Sequence, residues 1–254
     1  MNVLKRIAVL LALLLLVALP AVAGADGVAD FTVTPGDIPI STFYNGTSLH
    51  LAGTVPDGCQ VVARFTGAPE NVAMKQKGKA LGLLWMNMNT LHFEGVPKVF
   101  LEATSAPLEE LGPAGSQLGL DGLAESIGIE PATADRAMLL PELIKLKQHE
   151  KLYRVEPGAI RLGAAEGGVR RFEADLAIPS RLSPGSYAVE VYAVQGGAVA
   201  AQAQQPVDAR LTGMPAFMAD LAFNHSVWYG VLASLIAIFA GLGIGLVFQS
   251  KGAH

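Results

Sequence analysis

Apolar residues are spread unevenly along this chain, and its two longest apolar runs lie near the ends. Ile7 to Leu19 follows Lys5 and Arg6 and is closed by Pro20 and the small residues Ala21-Val22-Ala23-Gly24-Ala25. A basic n-region, an apolar core too short to span a bilayer comfortably and small residues at the cleavage position form the secretory signal pattern, which assigns residues 1–25 to a signal peptide. An uncleaved N-terminal anchor is the competing reading, disfavoured because small residues follow Pro20 at once. No cysteine lies near this site, so lipid attachment there is excluded.

Val227 to Phe248 is the second run, 22 residues without a charge. At about 1.5 Å per residue a helix of this length reaches roughly 33 Å, enough for a hydrocarbon core of about 30 Å. Trp228 and Tyr229 sit at its outer edge, where amphipathic rings favour the headgroup zone. Only residues 249–254 follow, with Lys251 a thin positive-inside signal. With the export signal, this predicts type I topology: the bulk of the chain outside, a transmembrane helix at 227–248 and a short cytoplasmic tail. A buried core helix is the alternative, and a soluble fold rarely uses so long an uncharged run.

Between the runs the period of the pattern changes twice. Phe31–Thr34, Ile38–Phe43, Thr47–Thr54 and Cys59–Thr66 read as short strands, separated by Pro35-Gly36-Asp37, Tyr44-Asn45-Gly46 and Pro56-Asp57-Gly58. Proline presets φ in such turns, while glycine and asparagine accept positive φ. Val72–Lys79, Leu83–Met86, Leu91–Phe93 and Val99–Ala103 read as further strands. From about 107 to 154 helical spacing takes over, in Leu118–Ile127 and Thr133–Tyr153. There Leu139, Leu143, Leu146 and Tyr153 form one stripe, with Lys145, Lys147, Glu150 and Lys151 off it. Thr133 is a candidate N-cap, and Pro141 is expected to kink the helix or start a new one. Two hairpins follow, Ala159–Gly163 with Val169–Ile178 and Ser186–Val194 with Ala198–Val207.

Four strands after the helices are too few for a sandwich of their own. The expected fold is therefore mainly β: one immunoglobulin-like β-sandwich over 26–210 with a helical insertion, a juxtamembrane segment at 211–226 and one C-terminal transmembrane helix. Pro184-Gly185-Ser186-Tyr187 supports it, since a tyrosine entering a late strand after a turn is a recurrent corner device in such sandwiches.

Composition narrows the function. The chain has 254 residues and a formal charge of −4; removing residues 1–25 leaves 16 basic and 22 acidic residues, a charge of −6. A mildly acidic exported domain argues against nucleic acid, whose binding relies on basic clusters. The single cysteine, Cys59, rules out an intramolecular disulfide and reads as a buried strand thiol beside Val61, Ala63 and Phe65.

Candidate chemistry is sparse. The histidines 50, 92, 149, 225 and 254 are scattered, and His50 and His92 meeting across strands is the only metal arrangement in view. No phosphate loop, dinucleotide fingerprint or nucleophile elbow occurs, so no catalytic residue and no cofactor is expected. Lys75, Lys77 and Lys79 alternate on one strand face, with Arg64 and Lys98 candidates to lie near. They read either as an anion-binding strip or as edge-strand protection against pairing with other chains, the simpler explanation. In the apolar run Ala233, Ala237, Gly241 and Gly245 recur every fourth residue, a face on which a second membrane helix can approach closely. Pro215 to Phe223 reads as an interfacial stretch beside it.

Several local motifs carry a family likeness: Lys75-Gln76-Lys77-Gly78-Lys79 ahead of Gly82-Leu83-Leu84-Trp85-Met86-Asn87, a helix ending in Leu152-Tyr153, Phe172-Glu173-Ala174-Asp175-Leu176-Ala177-Ile178-Pro179, Pro184-Gly185-Ser186-Tyr187 and an anchor opening at Trp228-Tyr229-Gly230. With them, nearly the whole mature chain resembles the alphaproteobacterial-type putative transmembrane protein family. Lys98-Val99-Phe100 departs from its pattern, in which aromatic residues commonly follow the proline. The resemblance implies a bacterial envelope protein in the inner membrane with its bulk in the periplasm. It also hints at a polytopic permease partner, because members are often encoded beside sulfite-exporter-like proteins. The expected function is thus a non-enzymatic accessory subunit that contacts lipid and either a polytopic membrane protein or a second copy through the anchor. A periplasmic domain binding a small oxyanion is the alternative.

Overall fold

The computed structural model describes residues 30–80, 83–132 and 134–249, so the signal segment, residues 250–254 of the tail and the expected cap Thr133 lie outside the described residues. The chain opens with β1 (Asp30–Thr34), β2 (Asp37–Ile40), β3 (Thr47–Pro56) and β4 (Gln60–Gly67), followed by β5 (Pro69–Ala80), β6 (Leu84–Pro97) and β7 (Phe100–Thr104). A 3-10 turn at Leu108–Leu111 leads into α1 (Gly112–Leu118), α2 (Leu120–Ser126), β8 (Gly128–Glu130) and α3 (Arg136–His149). β structure returns in β9 (Tyr153–Glu156), β10 (Arg161–Glu166), β11 (Val169–Ile178), β12 (Gly185–Gln195) and β13 (Ala198–Leu211). Two helices close the chain, α4 (Met214–Phe223) and α5 (Ser226–Gln249).

The fold is mainly β with one C-terminal apolar helix, as the sequence predicts. A four-stranded sheet ordered β1-β3-β11-β10 faces a six-stranded sheet ordered β2-β13-β12-β4-β7-β9. Alternation on β11 sets the packing: Phe172, Ala174, Leu176 and Ile178 are buried while Arg171, Glu173, Asp175 and Ala177 are exposed. Those inward residues meet Val61, Ala63 and Phe65 of β4 and Val189, Val191 and Ala193 of β12 in one core. Cys59 lies in the same core, fully buried, as its strand face predicts. Gly53 is required there, because a Cβ would fall 2.3 Å from the Asp30 carbonyl oxygen and 2.8 Å from the Phe172 ring.

Tyr187 closes a corner at the start of β12. Its hydroxyl donates to the Ser183 carbonyl at 2.6 Å, its ring stacks on Phe65 at 4.9 Å, and burial pushes its phenol up to about 12.

The helical insertion covers the outer face of the larger sheet, so β7 is buried on both faces. Leu111, Ala114 and Leu118 pack on Val62 and Val194 there. Several expectations change. Leu84–Met86 and Leu91–Phe93 fall in one strand, β6, and within the insertion part of the expected helical region is strand, β8 and β9. Tyr153 begins β9, because Lys151 adopts φ 62° and ends α3. Leu152 N–H donates to the Lys147 carbonyl and Lys151 N–H to that of Gln148, a Schellman closure. Asp135 caps the other end by accepting from Met138 N–H at 3.2 Å. Pro141 neither ends α3 nor starts a new helix. The buried stripe is Leu140, Leu143 and Lys147, not the Leu146 row, since tertiary contacts select the neighbouring face. Lys147 stays buried by donating to Glu70 at 3.3 Å.

β5 and β6 continue the ladder of β4 and β7. Thr66 pairs with Phe100, Gly67 N–H donates to Val99, Lys98 N–H donates to Ala68, and Pro69 pairs with Pro97. The result is a long two-stranded arm rooted in the larger sheet. Its base is supported by β8, α2 and α3 through Phe93, Val96, Ile127, Leu140 and Leu143.

Candidate functional site

α5 comes directly from composition: Val227–Phe248 contains no Asp, Glu, Lys, Arg or His. Over Ser226–Leu246 the mean hydropathy is 2.1, and none of that span is buried in the protein. At about 1.5 Å per residue the helix extends roughly 36 Å, a bilayer's hydrocarbon thickness and slightly more. A helix this apolar and this exposed is stable in lipid, where its backbone hydrogen bonds are satisfied internally. Ala233, Ala237, Gly241 and Gly245 follow one another at four-residue steps on its exposed surface. Apart from the adjoining residues and the helix's own backbone, nothing among the described residues lies within 4 Å of where a Cβ on Gly241 or Gly245 would stand. Pro215–Phe223 falls within α4, whose Met214, Phe217 and Phe223 are exposed.

Lys75 and Lys77 lie exposed on β5, and Lys79 follows in the same strand opposite Trp85 on β6. β5 is the edge of the three-stranded sheet β5-β6-β8, the position edge protection requires. Arg64 and Lys98 are not part of this strip. At about 3.3 Å per residue along the continuous ladder, they lie roughly 36 Å and 26 Å from Lys75.

Arg64 is instead the centre of a polar cluster on the outer face of the larger sheet. Its Nε donates to Glu190 Oε2 at 2.8 Å, one terminal nitrogen donates to the Leu118 carbonyl at 3.3 Å, and the other donates to the Tyr192 hydroxyl. Its guanidinium also stacks 4.9 Å from the Tyr192 ring centroid and 5.7 Å from that of Phe100. Directly across the ladder, on β7, stands Glu102, 1% exposed, with neither carboxylate oxygen hydrogen-bonded. Burial pushes its carboxyl up to about 8, against the opposing pull of Arg64. Chemically, the cluster ties the sheet to α1 and holds one titratable proton away from solvent. The available sequence signal was a lone acid in the apolar strand Phe100-Leu101-Glu102-Ala103.

His50 and His92 do not meet: His50 pairs with Asp175 at 2.9 Å in the four-stranded sheet, whereas His92 lies on β6 opposite Glu130. Among the described residues no group of His, Cys, Asp and Glu has metal-binding geometry.

No curated protein matches the chain. A family model described as "Putative transmembrane protein (Alph_Pro_TM)" matches residues 30–250, which takes in the β-body, the arm and the apolar helix together. The chain is a membrane-anchored member of that transmembrane family.

Proposed function

We propose that this protein is a non-enzymatic accessory subunit, held on the inner membrane by α5 with its β-body in the periplasm. It packs against a polytopic membrane protein through the Ala233, Ala237, Gly241 and Gly245 row. The observation that carries this reading is the apolar span with no partner inside the protein and a row of small residues along it. In lipid there is no hydrophobic drive between helices, so close backbone approach along small residues is the principal means of packing. The resemblance to a family encoded beside exporter-like proteins points to a permease as the partner. Crosslinking of the full chain in membranes, read by mass spectrometry, is expected to capture one reproducible polytopic protein and to lose it with Gly241→Leu or Gly245→Leu. A solitary monomer in every extract, or capture unaffected by both variants, refutes the reading.

A second reading has one observation in its favour: from Asn71 to Phe93 the chain carries Lys75, Lys77 and Lys79 and no acid. It is binding of a small oxyanion at that strip. Calorimetry of the detergent-solubilised full chain against sulfate, sulfite and phosphate tests it, and absence of heat from all three ends it.

A further inference from the structure

We propose that the β5–β6 arm is a second membrane contact, with its tip in the headgroup zone and its lysines on the phosphates of anionic phospholipid. Topology gives the direction. β4 and β13 both pair antiparallel with β12, so they run the same way, and both leave the sheet at its Tyr187 end. β4 continues there into the arm, while β13 continues through Leu211 to α4 and the anchor. Two strand spacings separate the two exits, about 10 Å. From Pro69 to Ala80 the arm extends about 35 Å, against about 7 Å of further β13 and about 15 Å of α4 from the same level, so a tip inclined by as much as about 50° still reaches the level at which α5 enters lipid.

The chemistry of the arm fits that surface. Leu83, Leu84 and Met86 at its tip are 85%, 69% and 51% exposed. Edge protection accounts for the lysines but not for these three. Lysines beside exposed apolar residues, without a carboxylate among them, make a positive, partly apolar element in a chain whose formal charge is −4. Anionic headgroups complement it, whereas the acidic body of a second copy does so less well. Phe43, 93% exposed, adds an apolar residue at the same end, in the loop after β2, whose last residue pairs with Leu211. The anchor holds the arm at millimolar effective lipid concentration, so a weak contact suffices.

This inference rests on the anchor alone and not on the polytopic partner, so purified protein tests it. The full chain with Cys59→Ala and a dye on Leu83→Cys is placed in lipid nanodiscs, and quenching by nitroxides on the acyl chains is read. Quenching is expected in discs with about one-third phosphatidylglycerol, falling in pure phosphatidylcholine, falling at high salt, and losing about fivefold in docked-to-free ratio with each of Lys75→Gln and Lys77→Gln. Thermal melts matching the parent protein confirm that these surface variants fold. Absence of quenching in the phosphatidylglycerol discs overturns the proposal. So does quenching confined to discs holding two copies, which assigns the tip to self-association.

Discussion

Glu102 is a carboxyl on a strand covered on both faces, and its behaviour follows from that position. Its oxygens lack hydrogen-bond partners, and the guanidinium opposite is already committed to Glu190, Tyr192 and the Leu118 carbonyl. The folded value of about 8 stands above the ordinary 4.5, so between those values the native state holds a proton that the unfolded chain has released. The stabilisation is fully present below about pH 4.5 and is lost as pH rises through about 8. Each pH unit in that window costs up to about 1.4 kcal/mol. Glu102→Gln, which keeps the shape and removes the charge, is expected to match the parent near pH 4.5 and to exceed it by a margin that grows towards pH 8. Melting of the full chain in detergent across that range measures it, and a constant difference at every pH contradicts the assignment.

At the scale of elements, the ends of α3 show how local rules and tertiary contacts divide the work. The Asp135 cap and the Schellman closure set its length, and the closure places a lysine at φ 62°, where glycine is at ease. Lys151 is exposed. Lys151→Gly is therefore expected to stabilise by about 0.5–1 kcal/mol, relief of left-handed strain exceeding the added freedom of the unfolded chain. A raised melting temperature checks it, and a lowered one shows that the side chain carries a contact worth more than the strain. The buried stripe on the same helix differs from the expected one because Leu139, Leu140, Leu143 and Leu146 offer two overlapping faces at helical spacing. Burial of the lysine stem with its tip on Glu70 decided between them.

At the scale of the whole molecule, three surfaces leave from one end: the α4–α5 segment, the arm and the loop bearing Phe43. An uncharged 22-residue run is more stable in lipid than in water, so the anchor that leaves from that end belongs in the bilayer. Alkaline carbonate is expected to leave the full chain in the membrane pellet, and protease added outside spheroplasts is expected to digest the β-body. Release by carbonate would contradict a spanning helix, and a protected body would reverse the proposed orientation.

The sequence by itself determined the features that depend on neighbouring residues: the apolar length of the anchor, the period-two strands and their turns, the two late hairpins, and the Tyr187 corner. It also carried the family likeness. Tertiary structure alone decided what depends on residues far apart in the chain. It joined β4 to β5 and β6 to β7 in one ladder, separated Arg64 and Lys98 from the lysine strip, and kept His50 from His92. It also buried Glu102 beneath the helical insertion. Periodicity reports which side of a strand is apolar, but register and cover come from strand partners dozens of residues away. A lone glutamate between Leu101 and Ala103 reads the same whether or not a helix lies over it.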